Sequence, residues 1–326
     1  MSSIDYGLLA RRHLDPSELS SLTYDLFLSS LNDAERVRKV FEGVASGRKL
    51  WIVHEEYEYA DGEIPLGDCH RMTMASSEID AWLELFQHLS RETDLRSAKI
   101  GIDITGMMRP HIMVLPLVLK SLDIAEVDII YSDPVAYVKG AATSFSTSRV
   151  DRVAQIPGLE GVHVSRYDDA EAMIIGAGYD TELIRQVAQS RPGAEHQYLM
   201  VGLPGLQSHM YQESRLQVLK ASEAITKYSP STFLYAPAND PFVAASVVAA
   251  KVEELRLEKP QLSVYLAAVG PKPQALGFAV YRLCDPLGSS VSVLFPYATR
   301  YARETSVGLS RVHVYGVELD WIDLSV

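Results

Sequence analysis

The feature that most constrains this chain is a pattern that occurs twice. The stretch Asp25 to Glu35 runs from an apolar strand through a polar turn into a helix. Ala172 to Glu182 does the same, with Asp33 over Asp180 and Glu35 over Glu182, 147 residues apart. At that offset Trp51-Ile52-Val53 lies over Tyr198-Leu199-Met200. Further on the offset is 164, where Lys99 to Gly106 matches Ser263 to Gly270. Each of those glycines is followed by a basic residue and a proline, Arg109-Pro110 in one copy and Lys272-Pro273 in the other. Tyr131 then lies over Phe295 and Tyr137 over Tyr301, and Ser148-Arg149-Val150 over Ser310-Arg311-Val312 closes both copies. One insertion, assigned to a helix from Glu213 to Thr226, accounts for the change of offset. A repeat of this kind sets the fold, so the chain reads as one unit written twice.

Within each copy, short apolar runs alternate with amphipathic stretches. Leu26–Leu28, Leu50–Val53 and Ile100–Ile104 read as strands of the first copy. Met173–Ile175, Tyr198–Val201, Phe233–Tyr235 and Val264–Ala268 read as strands of the second. Between them, Val37, Val40, Phe41 and Val44 make a helical stripe, as do Ile79, Trp82, Leu83 and Phe86. A third helix opens at Pro110, where the first turn needs no N–H donor, and Pro116 is expected to kink or shorten it. Val243–Leu257 reads as a helix of the second copy. Such alternation implies right-handed crossovers. The expected fold is α/β, with two tandem Rossmann-like, doubly wound parallel sheets related by a pseudo-two-fold. The expected division is an N-terminal arm (1–22), a first domain (23–156), a linker (157–170) and a second domain (171–326). A peripheral hairpin is expected from Gly140 onward, ahead of the linker.

Composition removes several functions. The chain has 326 residues, long enough for two cores, and a formal charge of −12. That charge argues against coating DNA or an anionic lipid surface, and direct nucleic-acid binding is not expected. Two distant cysteines, Cys69 and Cys284, suit a reducing cytoplasm rather than a disulfide framework. No apolar run reaches the length of a membrane span.

Ligands of open parallel sheets bind beyond the carboxyl ends of the strands, where loops enter helix N-termini. After the first strand that position holds Ser29, Ser30 and Asn32, and in the second copy Gly176, Gly178 and Tyr179. Glycines there let backbone N–H groups approach an anion. The third glycine of a dinucleotide fingerprint and the Gly-Lys-Ser/Thr of a P-loop are both missing, so no resident cofactor is expected. The loop Asp103 to Pro110 is the most distinctive. Asp103 can accept from a ribose or base, Thr105 and Gly106 can meet phosphate, and Arg109 can pair with it. Its counterpart keeps Gly270 and Lys272 and lacks the carboxylate. Asn239-Asp240-Pro241 reads as a helix N-cap, with Asn239 on the same sheet edge. Tyr131, Tyr137, Tyr297 and Tyr301, with Arg300 and Arg303, are candidates for stacking on bases. His54, Glu55, Glu56, Asp68, Cys69 and His70 fit no standard ligand spacing, so no metal is expected.

Ile102-Asp-Ile-Thr-Gly106, Pro110 and Tyr131-Ser-Asp133 resemble the CARF family, the CRISPR-associated Rossmann fold. Met107, Met108 and Arg109 stand where that family has glycine, threonine and lysine. Gly270-Pro-Lys272-Pro273 is similar to the family's glycine-lysine end. The resemblance implies a sensor of small nucleotide second messengers in a prokaryotic, anti-phage type defence or signalling system. Two CARF-like units fused in one chain are similar to SAVED domains. On that resemblance Ser29, Ser30, Thr105, Arg109, Gly270 and Lys272 would line the ligand site, and a partner protein would supply any effector activity. Two other readings stay open. One is an enzyme acting on a nucleotide or phosphosugar, with Asp103 as acid or base; the other is a structural interaction subunit without a small ligand.

Overall fold

The computed structural model describes residues 5–137, 147–162, 170–285 and 290–320. The first half contributes β1 (Arg11–Leu14), β2 (Thr23–Ser30), α1 (Glu35–Gly43), β3 (Ala45–His54), β4 (Cys69–Met72) and α2 (Glu78–Leu89). It continues with β5 (Ile100–Asp103), α3 (Arg109–Ser121), β6 (Glu126–Asp133), β7 (Ala136–Tyr137) and β8 (Val150–Gln155). The second half holds β9 (Glu171–Ala177), α4 (Thr181–Ser190), β10 (Ala194–Gly202), α5 (Met210–Ala221) and β11 (Phe233–Ala236). After these come α6 (Pro241–Glu258), β12 (Ser263–Ala268), α7 (Lys272–Cys284), β13 (Val291–Ala298), β14 (Ser306–Val307) and β15 (Arg311–Glu318). The start of the hairpin expected from residue 140 lies outside the described residues, and the linker expected at 157–170 is described at 157–162 and 170. The helix expected over Glu213–Thr226 is α5, and it begins earlier.

Two large sheets form, ordered β1-β15-β6-β5-β2-β3-β4 and β11-β10-β9-β12-β13-β8. Five consecutive strands of each, β6 to β4 and β11 to β13, pair in parallel. Aligned on β2 and β9, the two sheets share one strand order, with β15 beside β6 as β8 is beside β13; β1 extends the first sheet beyond β15, whereas β8 is an edge. Those two strands are exchanged between the halves. β15, near the end of the chain, pairs antiparallel with β6 of the first half. β8, the last strand of the first half, pairs antiparallel with β13 of the second. The expectation of an α/β fold with mostly parallel sheets holds, whereas the expectation that each segment makes its own sheet is corrected. Both sheets are mixed, and the division at 156/157 separates β8 from the sheet it joins. The physical reason is that an unpaired sheet edge offers free N–H and C=O groups, which an antiparallel strand satisfies from either half.

Strand side chains alternate between two apolar clusters. Leu26 and Leu28 point into a central core while Phe27 points away from it. In the same way Ala172 and Ile174 enter the central core, and Met173 and Ile175 enter an outer one. The central core is continuous across both halves, joining Trp82, Phe86 and Leu115 to Phe242, Leu276 and Phe278. Burial on both faces is why the central strands read as unbroken apolar runs. Between the sheets, α3 and α7 pack against each other and are apolar almost all round, as a fully enclosed helix must be. Pro116 does not end α3, which runs on to Ser121. Ser77 caps α2 and Asp240 caps α6, each accepting from backbone N–H groups of the first turn. Among the described residues no helix is long and apolar enough to cross a membrane.

The closest approach of α7 to α6 passes over Gly277. A Cβ there would lie 2.2 Å from the Pro241 carbonyl oxygen and 2.8 Å from the Ala244 Cβ. On an open helix Gly→Ala would be worth about 1 kcal/mol in favour of folding. Here overpacking reverses the sign, and Gly277→Ala is expected to lose ~1–3 kcal/mol in urea-induced unfolding. A gain in stability would contradict this packing.

Candidate functional site

The loops that leave β5 and β12 face each other across the seam between the halves. Arg109, the first residue of α3, donates through Nε to the Gly270 carbonyl at 2.8 Å. Lys272, the first residue of α7, donates through Nζ to the Thr105 carbonyl. Each basic residue thus holds the loop of the opposite half.

The first loop is braced from below. Asp103 is completely buried, and its Oδ2 accepts from Ser29 Oγ while its Oδ1 accepts from the Thr105 N–H, both at 2.9 Å. Thr105 Oγ1 accepts from the Ser132 N–H at 3.0 Å. Tyr57 donates its hydroxyl to the Gly106 carbonyl at 2.9 Å. Gly106 lies so close to β2 that a Cβ would stand 2.0 Å from the Ser30 carbonyl oxygen. Ser30 Oγ is 3.1 Å from His54 Nε2. Burial pushes the Asp103 carboxyl up, opposed by hydrogen bonds from Thr105 and Ser29 and by Lys272. Lys272 is driven well below the usual ammonium range by burial, then by repulsion from Arg109 and Arg36.

Two pockets open on this seam. The first is an open recess of about 590 Å³, adjoining solvent included, lined by Arg36, Arg109 and Lys272, with Tyr57, Tyr131, Tyr137 and Tyr301. Asn32, Thr105 and Thr305 complete its polar wall, and among the described residues no carboxylate lines it. Arg36 is buried, donates through Nε to Ser306 Oγ at 3.0 Å and to the Ser132 carbonyl, and lies 5.5 Å from the Tyr131 ring centre. The second pocket, about 400 Å³, is lined by Gly178, Gly202, Gly205 and Gly270 with Tyr179, Leu206, Met210 and Ala238. Arg109, Tyr137 and Pro271 line both. Tyr179 donates to Glu213 Oε2 at 2.6 Å, and its ring meets Tyr137 edge-on at 5.1 Å.

The residues singled out from sequence separate into three groups. Asn32, Thr105, Arg109 and Lys272 line the cationic pocket, while Gly178, Tyr179 and Gly270, again with Arg109, line its neighbour. Ser29, Ser30, Asp103 and Gly106 form the support beneath the first loop. Gly176 lies within β9, against Ala268 and Phe278. Asn239 lines neither pocket; its Nδ2 is 3.5 Å from His313 Nε2, and its carbonyl accepts from the Tyr315 hydroxyl. Of the tyrosines proposed for stacking, Tyr131, Tyr137 and Tyr301 line the cationic pocket and Tyr297 does not. Arg300 and Arg303 pair with Glu58 and Glu63. Sequence reasoning missed Arg36 and Tyr57. Arg36 had a readable signal, since it stands beside Val37 and one turn before Val40 on the buried face of α1. Among the described residues no three His, Cys, Asp or Glu side chains converge on a metal position.

Compared with family models and with curated proteins, the chain matches none.

Two enclosed histidines flank the support. The His54 and His111 rings are 4.8 Å apart, and Nδ1 of each is buried without a partner among the described residues. Burial pushes the His111 pKa down to about 3 and that of His54 well below its ordinary value. The unfolded chain binds a proton at His111 below about pH 6.5, whereas the folded chain stays neutral there. Stability associated with this side chain is full above pH 6.5 and falls as the pH drops toward 3. Relative to His111→Gln, the native chain is expected to lose about 1.4 kcal/mol per pH unit between pH 6 and pH 4. Parallel stability curves for the two proteins would contradict a buried neutral imidazole.

Proposed function

We propose that the chain is a non-catalytic binding protein for a nucleotide, formed from a duplicated Rossmann-like unit. The observation that carries this reading is the cationic pocket, where three basic side chains and four tyrosines converge and no carboxylate lines the wall among the described residues. Burial and repulsion from Arg109 and Arg36 depress Lys272, with Asp103 as the opposing charge, so an anion entering the pocket is favoured. The neighbouring pocket is walled mainly by backbone and apolar side chains and suits a flat, uncharged ring. Phosphates on one side of Arg109 and a base on the other make the ligand unsymmetrical, although the two halves share a strand order. Asp103 supports an enzyme poorly, since both of its oxygens are engaged beneath the loop.

A protein partner remains part of the proposal. Leu216, Leu219, Leu203 and Tyr235 are exposed near the β11 edge of the second sheet, where a partner could cover apolar surface and an open strand edge. Placement in a cytoplasmic prokaryotic defence or signalling system rests on the CARF-like residues alone.

Calorimetric titration with nucleoside triphosphates tests the binding. A triphosphate is expected to bind, and Lys272→Met to weaken it at least tenfold, given about 1.5–3 kcal/mol for a charge-assisted hydrogen bond. Leu206→Trp, which fills the second pocket without touching the cations, should also weaken it. Absence of binding by every triphosphate, or binding indifferent to both substitutions, would overturn the reading.

A further inference from the structure

The recess on the seam sets one amine, Lys272, among two guanidiniums, Arg36 and Arg109, and the two kinds of cation do different chemistry. A guanidinium keeps its proton, whereas an ammonium that loses its proton becomes a nucleophile. Lys272 is the first residue of α7, whose first turn carries no acidic side chain and no side-chain cap. The positive end of the helix therefore stands against its charge. Arg109 opens α3 in the same way, so the start of each of these helices adds a cation to one recess. The carboxylate that opposes them, Asp103, is engaged by the Ser29 hydroxyl and the Thr105 N–H.

The amine is also within reach of a ligand. Lys272 is half-buried and lines a recess that opens to solvent. Its Nζ donates to the carbonyl of Thr105, a residue of the same wall. That bond uses one N–H and leaves the lone pair of a deprotonated amine uncommitted. Burial, then repulsion from Arg109 and Arg36, raises the share of unprotonated amine at neutral pH. Burial raises the phenols of Tyr57, Tyr131, Tyr137 and Tyr301, so these walls are aromatic without being anionic.

We propose that Lys272 Nζ condenses with the carbonyl of a small phosphorylated aldehyde, whose phosphate is held in the same recess by Arg36 and Arg109. The nitrogen lone pair forms a bond to the carbonyl carbon, and a proton passes from nitrogen to the carbonyl oxygen to give a carbinolamine. Loss of that hydroxyl with the second nitrogen proton, as one water, leaves an imine. No oxidant or reductant takes part. The phosphate supplies the negative charge that the guanidiniums favour and holds the aldehyde beside the amine, which turns a bimolecular encounter into a local one. The inference shares its recess with the nucleotide reading and does not rest on it, because a nucleotide carries no aldehyde.

Pyridoxal 5′-phosphate is the probe, mixed with the full chain at pH 7, trapped with borohydride and located by peptide mass spectrometry. Lys272 is expected to be trapped at least tenfold faster than any other lysine, up to one equivalent per chain. Excess inorganic phosphate should slow that trapping, and pyridoxal, which lacks the phosphate, should label Lys272 at least tenfold more slowly. Lys272→Met should remove the fast equivalent, and Lys259→Arg, at an exposed salt bridge with Glu195, should leave it unchanged. The map of the native chain decides the matter even if Lys272→Met fails to fold. Labelling spread evenly over surface lysines, or trapping at Lys272 that ignores both phosphate and its absence from the probe, would rule the proposal out. Triphosphate binding without trapping at Lys272 removes this proposal alone, and trapping without triphosphate binding removes the nucleotide reading alone.

Discussion

The exchange of β8 and β15 between the sheets is the interaction on which the rest of the arrangement depends. Each half leaves one edge of its parallel sheet open, at β6 and at β13, and the closing strand comes from the other end of the repeat pattern. Backbone hydrogen bonds at those edges cross-link the halves as firmly as strands within one sheet. The short pairing of β7 with β14 adds a further crossing beside them. With the sheets fastened this way, α3 and α7 are enclosed between them and buried along most of their length. The loops that precede these helices have little choice but to meet. The position of the pockets is thus a consequence of how two apolar helices pack.

Where the loops meet, the molecule gathers positive charge in a place from which water is largely excluded. Arg36, Arg109 and Lys272 satisfy some of their donors on carbonyl and hydroxyl oxygens, which are neutral acceptors. Burial, and then repulsion from Arg109 and Arg36, depresses the Lys272 pKa.

Much of this was legible in advance because it rests on local pattern. The apolar runs of β2, β5, β9 and β12 announce strands buried on both faces, and Pro110 and Pro273 announce helix starts. Other elements carried no such mark. β1 reads Arg-Arg-His-Leu and is largely exposed, so it shows no apolar alternation, and in β4 only Met72 is buried. Tyr57 follows two glutamates in a short 3-10 turn, where an aromatic residue has no periodicity to reveal it. Asn239 shares a sheet edge with the site residues, yet its contacts are with His313 and Tyr315.

By itself the sequence determined the apolar central strands, and that a basic residue and a proline open the helix after β5 and the helix after β12. Those properties follow from side-chain hydrophobicity, backbone freedom at glycine and the missing donor of proline, all of them local. Only the tertiary structure decided which half each edge strand completes, and that Arg109 and Lys272 cross to the opposite loop. It also decided that Arg36 joins them. Strand pairing uses backbone groups that are nearly the same at every residue, so the sequence holds no label for the partner. The choice is made by the packing of the enclosed helices, which only the folded chain contains.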